Sequence, residues 1–265
     1  MFPLLSMGKN RAWRAVKEEY DTGDGYVVHA ADERCKHNVS RARSRAICAL
    51  AARGILLIDE TPWPRAHPVV YPRINRGGGW VAVNVEVDGG GSVENDVLDC
   101  HAVLGRLAHG NALIKGGHMH CVDVRFPGGV EQAWTPPSLG WHMGRGAGCG
   151  LHSICILHLT SVPTGGGGVA VVVGSHKFVC RVLSCRWIPA CVRGAYLFRL
   201  LLGYLVSWAA WCGEWEIREV VASEGEVVQM DPYLVHSPSR NANGHETGLS
   251  CQVKIFSRVP SRNYI

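Results

Sequence analysis

Cysteine pairs at metal-binding spacing are missing from this chain. It carries eleven cysteines, an odd number, and no Cys-x-x-Cys. Cys180, Cys185 and Cys191 form the densest group, but no His/Cys set follows them at zinc-like spacing, which argues against a zinc finger or ribbon. No secretory leader is expected either, because Met1 to Leu5 is too short an apolar run. The cysteines are therefore expected to be reduced, small core residues of an intracellular, cytoplasmic protein. Clustered positive charge is also absent. The net charge is +5, but the arginines are scattered, as in Arg41, Arg43 and Arg45, then Arg73 and Arg76. Phosphate binding needs a clustered basic face, so no nucleic-acid partner is expected. No internal repeat is evident, and the four glycines at 165–168 mark a turn, not a low-complexity tract.

What is present is globular. Hydrophobic residues make up 47% and charged residues 18% of 265 positions, which excludes disorder and gives enough chain for one large domain without requiring a second. Gly194 to Gly213 is long enough to span a bilayer, but Arg199 interrupts it and it lies between motifs of one core; a membrane span is not expected. Asn38 to Gly54 reads as a helix with Ile47, Leu50 and Ala51 on one stripe. Ile55 to Ile58 and Trp80 to Val87 read as strands, and Val97 to Leu107 as a second helix. After Ala112 short apolar runs recur between Gly- and Pro-rich turns, at 119–126, 153–160, 168–173, 226–236 and 249–256. That punctuation predicts a mainly β fold with flanking helices, a jelly roll. Residues 1–111 are expected to pack as a helical and strand segment on a core formed by 112–265, in one domain, with a helical insert near 178–220.

Three segments carry the chemistry. They are Gly140-Trp141-His142-Met143-Gly144, then the glycines 165–168 leading through Val169 to Val173 into Gly174-Ser175-His176, then Gly225-Glu226-Val227-Val228 running on to His236 and Asn241. His142 and His236 each fall at the end of a predicted strand, and two imidazoles facing one cavity suit Fe(II), Zn(II) or Cu(II). Oxygen-activating iron adds a carboxylate, normally two residues after the first histidine, because i and i+2 share a strand face. Here that place is Gly144, and Asp231, five residues before His236, points to the opposite face of a regular strand. A second arrangement, His118-Met119-His120 with Asp123, offers two histidines on one strand face as cupins use.

The order and spacing of these segments resemble the phytanoyl-CoA dioxygenase family over roughly residues 120–258. That family shows W-H-x-D, then a Gly-Gly turn ending in P-G-S-H, then G-D-V and a distal H-x-x-x-x-N. The resemblance implies a double-stranded β-helix, with His142 and His236 as the histidine ligands of Fe(II) and 2-oxoglutarate as cosubstrate. The family's basic residue for the far carboxylate of 2-oxoglutarate comes about ten or eleven positions after the second histidine. That window reads His245-Glu246-Thr247-Gly248, with Thr247 in the aligned place; Lys254, Arg258 and Arg125 are candidate replacements.

Two positions thus depart from the family pattern: Gly144, a vacant ligand position, and Thr247. Three functions fit. One is a dioxygenase that hydroxylates a small organic or lipid-like substrate. Another is a non-heme iron halogenase, since halogenases of this fold carry Gly or Ala where the carboxylate would stand. The last is a degenerate homologue that serves as a binding protein. An imperfect gene model would also produce the glycine-rich run 144–150 and the Cys-, Trp- and Arg-rich run 178–213. Trp208, Trp211 and Trp215 fit an apolar lid or, preferably, a packed helix.

Overall fold

The protein is represented by a computed structural model, which describes residues 23–31, 33–52, 80–84, 104, 112–113, 121–125, 132–144, 151–185, 187, 196–242 and 248–257. The first segment, residues 1–22, and the strand expected at 55–58 lie outside the described residues, and of 97–107 only Leu104, helical and buried, is described.

Two antiparallel sheets face each other. The larger contains β1 (Tyr26–His29), β2 (Trp80–Asn84), β3 (Ala112–Leu113), β4 (Cys121–Arg125), β5 (Leu151–His158), β8 (Val227–Met230) and β10 (Gly248–Ser257). Its strand order is β1-β8-β5-β10-β4-β2, with β3 paired to β10. The smaller is β7 (Ile217–Val220), β6 (Val169–Val172) and β9 (His236–Pro238), in that order. The segment before 112 supplies β1 and β2 to the same sheet as the C-terminal strands.

Alternation along the strands sorts the side chains into two layers. Ile154 and Ile156 of β5 and Val228 and Met230 of β8 pack against Val169, Val171 and Val220 of the smaller sheet, between the two sheets. The intervening residues Ala170 and Val172 face the other way. They bury against Trp141, Met143, Val235 and two helices, α2 (Ser175–Ser184) through Val179 and Leu183, and α3 (Tyr196–Trp211) through Leu202, Val206 and Ala210. Each large aliphatic side chain buried in either layer contributes about 1.5–3 kcal/mol.

The turn into β6 explains its glycines. Gly167 has φ +81, and a Cβ there would meet the backbone of Asn241 at 3.0 Å. A Cβ on Gly168 would collide with the carbonyl oxygen of Val220. The amides exposed by this close turn converge on Glu219, whose buried carboxylate accepts Gly165 N–H at 2.6 Å, Gly167 N–H at 3.1 Å and Gly168 N–H at 2.9 Å. Successive backbone N–H groups make such an anion nest.

Several expectations need correction. The first helix, α1, is Glu33–Ala52 and begins before Asn38. Its described buried residues are Cys35, Val39, Ala42 and Ala46; Ile47 is half-buried, and the side chains of Leu50 and Ala51 lie outside the described residues. Small residues at that spacing let the helix approach the turn before β8, where Val39 lies beside Gly225 and Arg43 meets Glu224 at 2.7 Å. The expected strand Trp80 to Val87 is described only over Trp80–Asn84. The insert near 178–220 is helical through α2 and α3, but its last four residues form β7, paired to β6. Trp215, past the end of α3 and outside any helix, packs against the helix layer. Trp208 and Trp211 do not; Trp208 is 68% exposed. They lie with Leu197, Leu201 and Leu205 on the outward side of α3. Among the described residues no helix is long and apolar enough to cross a membrane.

Candidate metal centre

His142 and His236 meet on one rung. His142 N–H donates to the His236 carbonyl at 2.9 Å, and His236 N–H donates back to the His142 carbonyl at 2.8 Å. Residues paired this way across an antiparallel ladder point to the same face, and the two ring centroids are 4.4 Å apart. The face is the inner one: His236 pairs with Val171 of β6, which faces the opposite sheet, whereas the flanking Trp141 and Met143 turn into the helix layer.

Each ring is oriented through Nδ1. His142 Nδ1 lies 2.7 Å from the Gly140 carbonyl, and His236 Nδ1 lies 2.8 Å from the Leu234 carbonyl. A carbonyl only accepts, so both imidazoles carry their proton on Nδ1 and their lone pair on Nε2, the arrangement of metal-ligating histidines.

The surrounding sequence holds this rung in place. Trp141 is buried and its indole N–H donates to the Pro137 carbonyl at 2.7 Å. On α3, Gly203 comes so near that a Cβ there would sit 3.2 Å from the Trp141 carbonyl oxygen and 3.5 Å from His142 Cα. Ser175, of the Gly-Ser-His segment, accepts the buried Val235 N–H at 3.0 Å, and Val172 N–H donates to the Val235 carbonyl at 2.9 Å. Ser175 thereby fixes the residue that precedes His236.

Among the described residues no carboxylate is seen to complete the pair. Among the described residues no three His, Cys, Asp or Glu side chains gather as a metal cluster. Gly144 is buried and its N–H donates to the Pro232 carbonyl at 2.8 Å. Asp231 is spent on the turn before His236, where Oδ1 accepts Tyr233 N–H at 2.7 Å. Of the other candidates, Thr247, Arg258, His118 and His120 lie outside the described residues, as does the side chain of Lys254.

The larger sheet answers the histidines with polar side chains. Ser250 of β10 pairs with His158 of β5 on one side and Asp123 of β4 on the other, and Gly248 pairs with Arg125. By alternation these residues share the inner face with Ile154 and Ile156. Arg125 is 2% exposed; Nη2 donates to Ser250 Oγ at 2.9 Å, and its carbonyl accepts from Asn241 Nδ2 at 3.3 Å. Burial lowers its pKa, an effect opposed by the carboxylates of Asp123 and Glu219. A guanidinium stays charged even so. His158 is buried and neutral, its pKa pushed down to about 3 by burial and then by the Arg125 cation.

The histidine pair was visible in the sequence. Of the face opposite, the sequence offered Arg125 as a candidate replacement for the cosubstrate arginine and Asp123 in the alternative His118-Met119-His120 arrangement, but not their pairing with Ser250 and Gly248. Glu219 gave no signal, because its amide partners are assembled only by the fold.

No family model matches the sequence, and no curated protein matches it. Solved structures do. EctD from S. alaskensis with bound Fe is similar over 96% of this chain and 79% of its own, at TM-score 0.51 and 14% identity. The chain shares its fold with this iron-bound protein. The alpha-ketoglutarate-dependent epimerase SnoN from nogalamycin biosynthesis matches over 96% of this chain and 88% of its own, at TM-score 0.50 and 16% identity. A SnoN complex with Fe3+, alpha ketoglutarate and nogalamycin RO matches at TM-score 0.50 and 17% identity, over 94% and 84% of the two chains. At such identities the likeness concerns fold; function has to be argued from the site.

Proposed function

We propose that this chain is a 2-oxoglutarate-dependent non-heme iron enzyme on a double-stranded β-helix, with His142 and His236 as the protein's iron ligands. The observation that carries the reading is the shared rung, which sets the two imidazoles side by side with both Nδ1 atoms on backbone carbonyls. Neutral imidazoles suit Fe(II), and a pair without a carboxylate leaves coordination positions open to small ligands. Fe(II) with 2-oxoglutarate and O₂ supplies the oxidation of a C–H bond, releasing succinate and CO₂. The fold likeness to EctD and SnoN supports this class of chemistry.

The chain's own residues contribute orientation and dryness. Ser175 and Val172 hold Val235, so His236 keeps its rotamer. Trp141, Met143 and α3 close the back of the rung against water. His142, exposed, stands on the solvent side, whereas His236 is buried, so a small organic substrate approaches past His142. The expected reaction is hydroxylation. A second reading, halogenation, has one observation in its favour: Gly144 leaves no side chain where the carboxylate would stand, and a halide fits such a place.

The test is anaerobic titration with Fe(II) and 2-oxoglutarate, with and without chloride, read by the visible charge-transfer band of the chelate. The band should appear in the native chain and vanish in His142→Ala and His236→Ala together with iron uptake. A chloride-dependent shift favours halogenation. A His236→Ala protein that retained stoichiometric iron would sink the ligand assignment, and a folded native chain with no band would be a binding protein.

A further inference from the structure

The interior opposite the histidine rung holds an arginine with unmet hydrogen-bonding capacity. Arg125 is buried, yet its Nε and Nη1 have no hydrogen-bond partner, and the buried Nδ1 of His158 has none either. Native interiors leave few polar atoms unpaired, and a guanidinium has no deprotonated state in which to escape the cost. Glu219 does not relieve it, since that carboxylate already accepts three backbone amides and the Ser239 hydroxyl at 3.3 Å. The geometry points to Arg125 as the anchor for the far carboxylate of a 2-oxo dicarboxylic acid, delivered from β4 across the place where the expected strand, β10, carries no arginine.

Register makes the replacement possible. Gly248, next to Thr247, is the Cα partner of Arg125. A Cβ on Gly248 would stand 3.6 Å from Arg125 Cβ and 3.9 Å from its Cδ. A side chain at position 248 would therefore start in van der Waals contact with the Arg125 stem. Ser250 holds Nη2, and Asn241, past the end of β9, donates to the backbone carbonyl of Arg125 at 3.3 Å. His158, on the other side of Ser250, is neutral and adds a ring nitrogen able to donate to the same carboxylate. The inference rests on the proposed iron reading for the near end of the acid, but the cation and its unmet donors stand without it.

The experiment compares two 2-oxo acids in the Fe(II)-loaded protein without oxygen, by calorimetry and by the charge-transfer band. 2-Oxoglutarate has the far carboxylate; 2-oxobutyrate has the same chelating head without it. Arg125→Ala should weaken 2-oxoglutarate about 10- to 100-fold, the usual worth of hydrogen bonds to a charged group, and leave 2-oxobutyrate unchanged. The double variant Arg125→Ala with Gly248→Arg should recover most of the loss, because the new side chain starts in the same space; this rescue also separates anchoring from misfolding. Equal 2-oxoglutarate binding by Arg125→Ala, or equal loss of both acids with no rescue, overturns the assignment. Iron stoichiometry is measured separately, and glutarate is titrated into metal-free protein. Arg125-dependent glutarate binding in a chain that takes up no iron upholds the arginine and overturns the histidine reading. A metal-free chain indifferent to both glutarate and Arg125→Ala, with no iron uptake, overturns both.

Discussion

His158 enters the fold without its proton, and that sets a pH dependence. Its pKa falls from the ordinary value of about 6.5 in the unfolded chain to about 3 in the fold. Between those values the unfolded state binds more protons, so stability is full above about pH 6.5, declines as pH falls, and levels off below about pH 3. Lowering pH from about 7 to about 4.5 should cost on the order of 3 kcal/mol through this residue. Urea unfolding at both pH values, native against His158→Leu, checks it; an unchanged slope in the variant would assign the effect elsewhere. The cysteines are graded in the same manner. Burial pushes the Cys155 thiol up to about 12, whereas Cys212 is exposed. Mild alkylation at neutral pH should modify Cys212 before Cys155 and leave Cys155 until unfolding, as read by peptide mass. Single residues were also where sequence reading was strongest and weakest at once. His142 and His236 stood in ordered motifs at strand ends. Arg125 stood in the sequence only as one of three candidate replacements beside Lys254 and Arg258, because nothing linear reveals that it faces Gly248.

At the scale of elements, the Gly-Ser-His segment has a mechanical role. Ser175 begins α2 and at the same time accepts Val235 N–H. Ser175→Ala should cost about 1–3 kcal/mol, because it strands a buried donor, and should weaken iron binding although Ser175 belongs to neither strand of the rung. Thermal melting and iron affinity, measured on the same preparation, test both halves. The helix α3 is two-sided in a different sense. Its inward face, Leu202, Val206 and Ala210, packs over Trp141, whereas Leu201, Leu205 and Trp208 face outward. Val206→Ala should destabilise by about 1–3 kcal/mol and Leu201→Glu by less than about 0.5 kcal/mol; equal losses from the two would mean that the outward face is covered. Periodicity alone could not assign these faces, since apolar residues surround the helix almost completely. The strand β7 was hidden for a related reason: Ile217–Val220 follows a helical composition, and only pairing with β6 makes it extended.

Across the molecule, two sheets were legible because Gly- and Pro-rich turns punctuate the runs after 112. The entry of β1 and β2 into the same sheet was less so, since partners far apart in sequence, such as Tyr26 and Met230, leave no local mark. The metal reading has a consequence at this scale. His142 and His236 meet only in the folded chain, so a metal held by both stabilises the whole fold by mass action, about 2.7 kcal/mol at a hundredfold excess over Kd. Fe(II) should raise the anaerobic melting temperature of the native chain and not that of His236→Ala.

The rung itself carries one more implication. The N–H groups of His142 and His236 each donate to the other residue's carbonyl, and this bridge fastens the segment 141–143 to β9. Ligand spacing is therefore set by the peptide ladder, not by side-chain reach. An ion gripping both rings would act as a rivet through a seam already stitched by two amide bonds. Opening the seam and releasing the ion become one event, and slow deuterium uptake at those two amides would record how tightly it is closed.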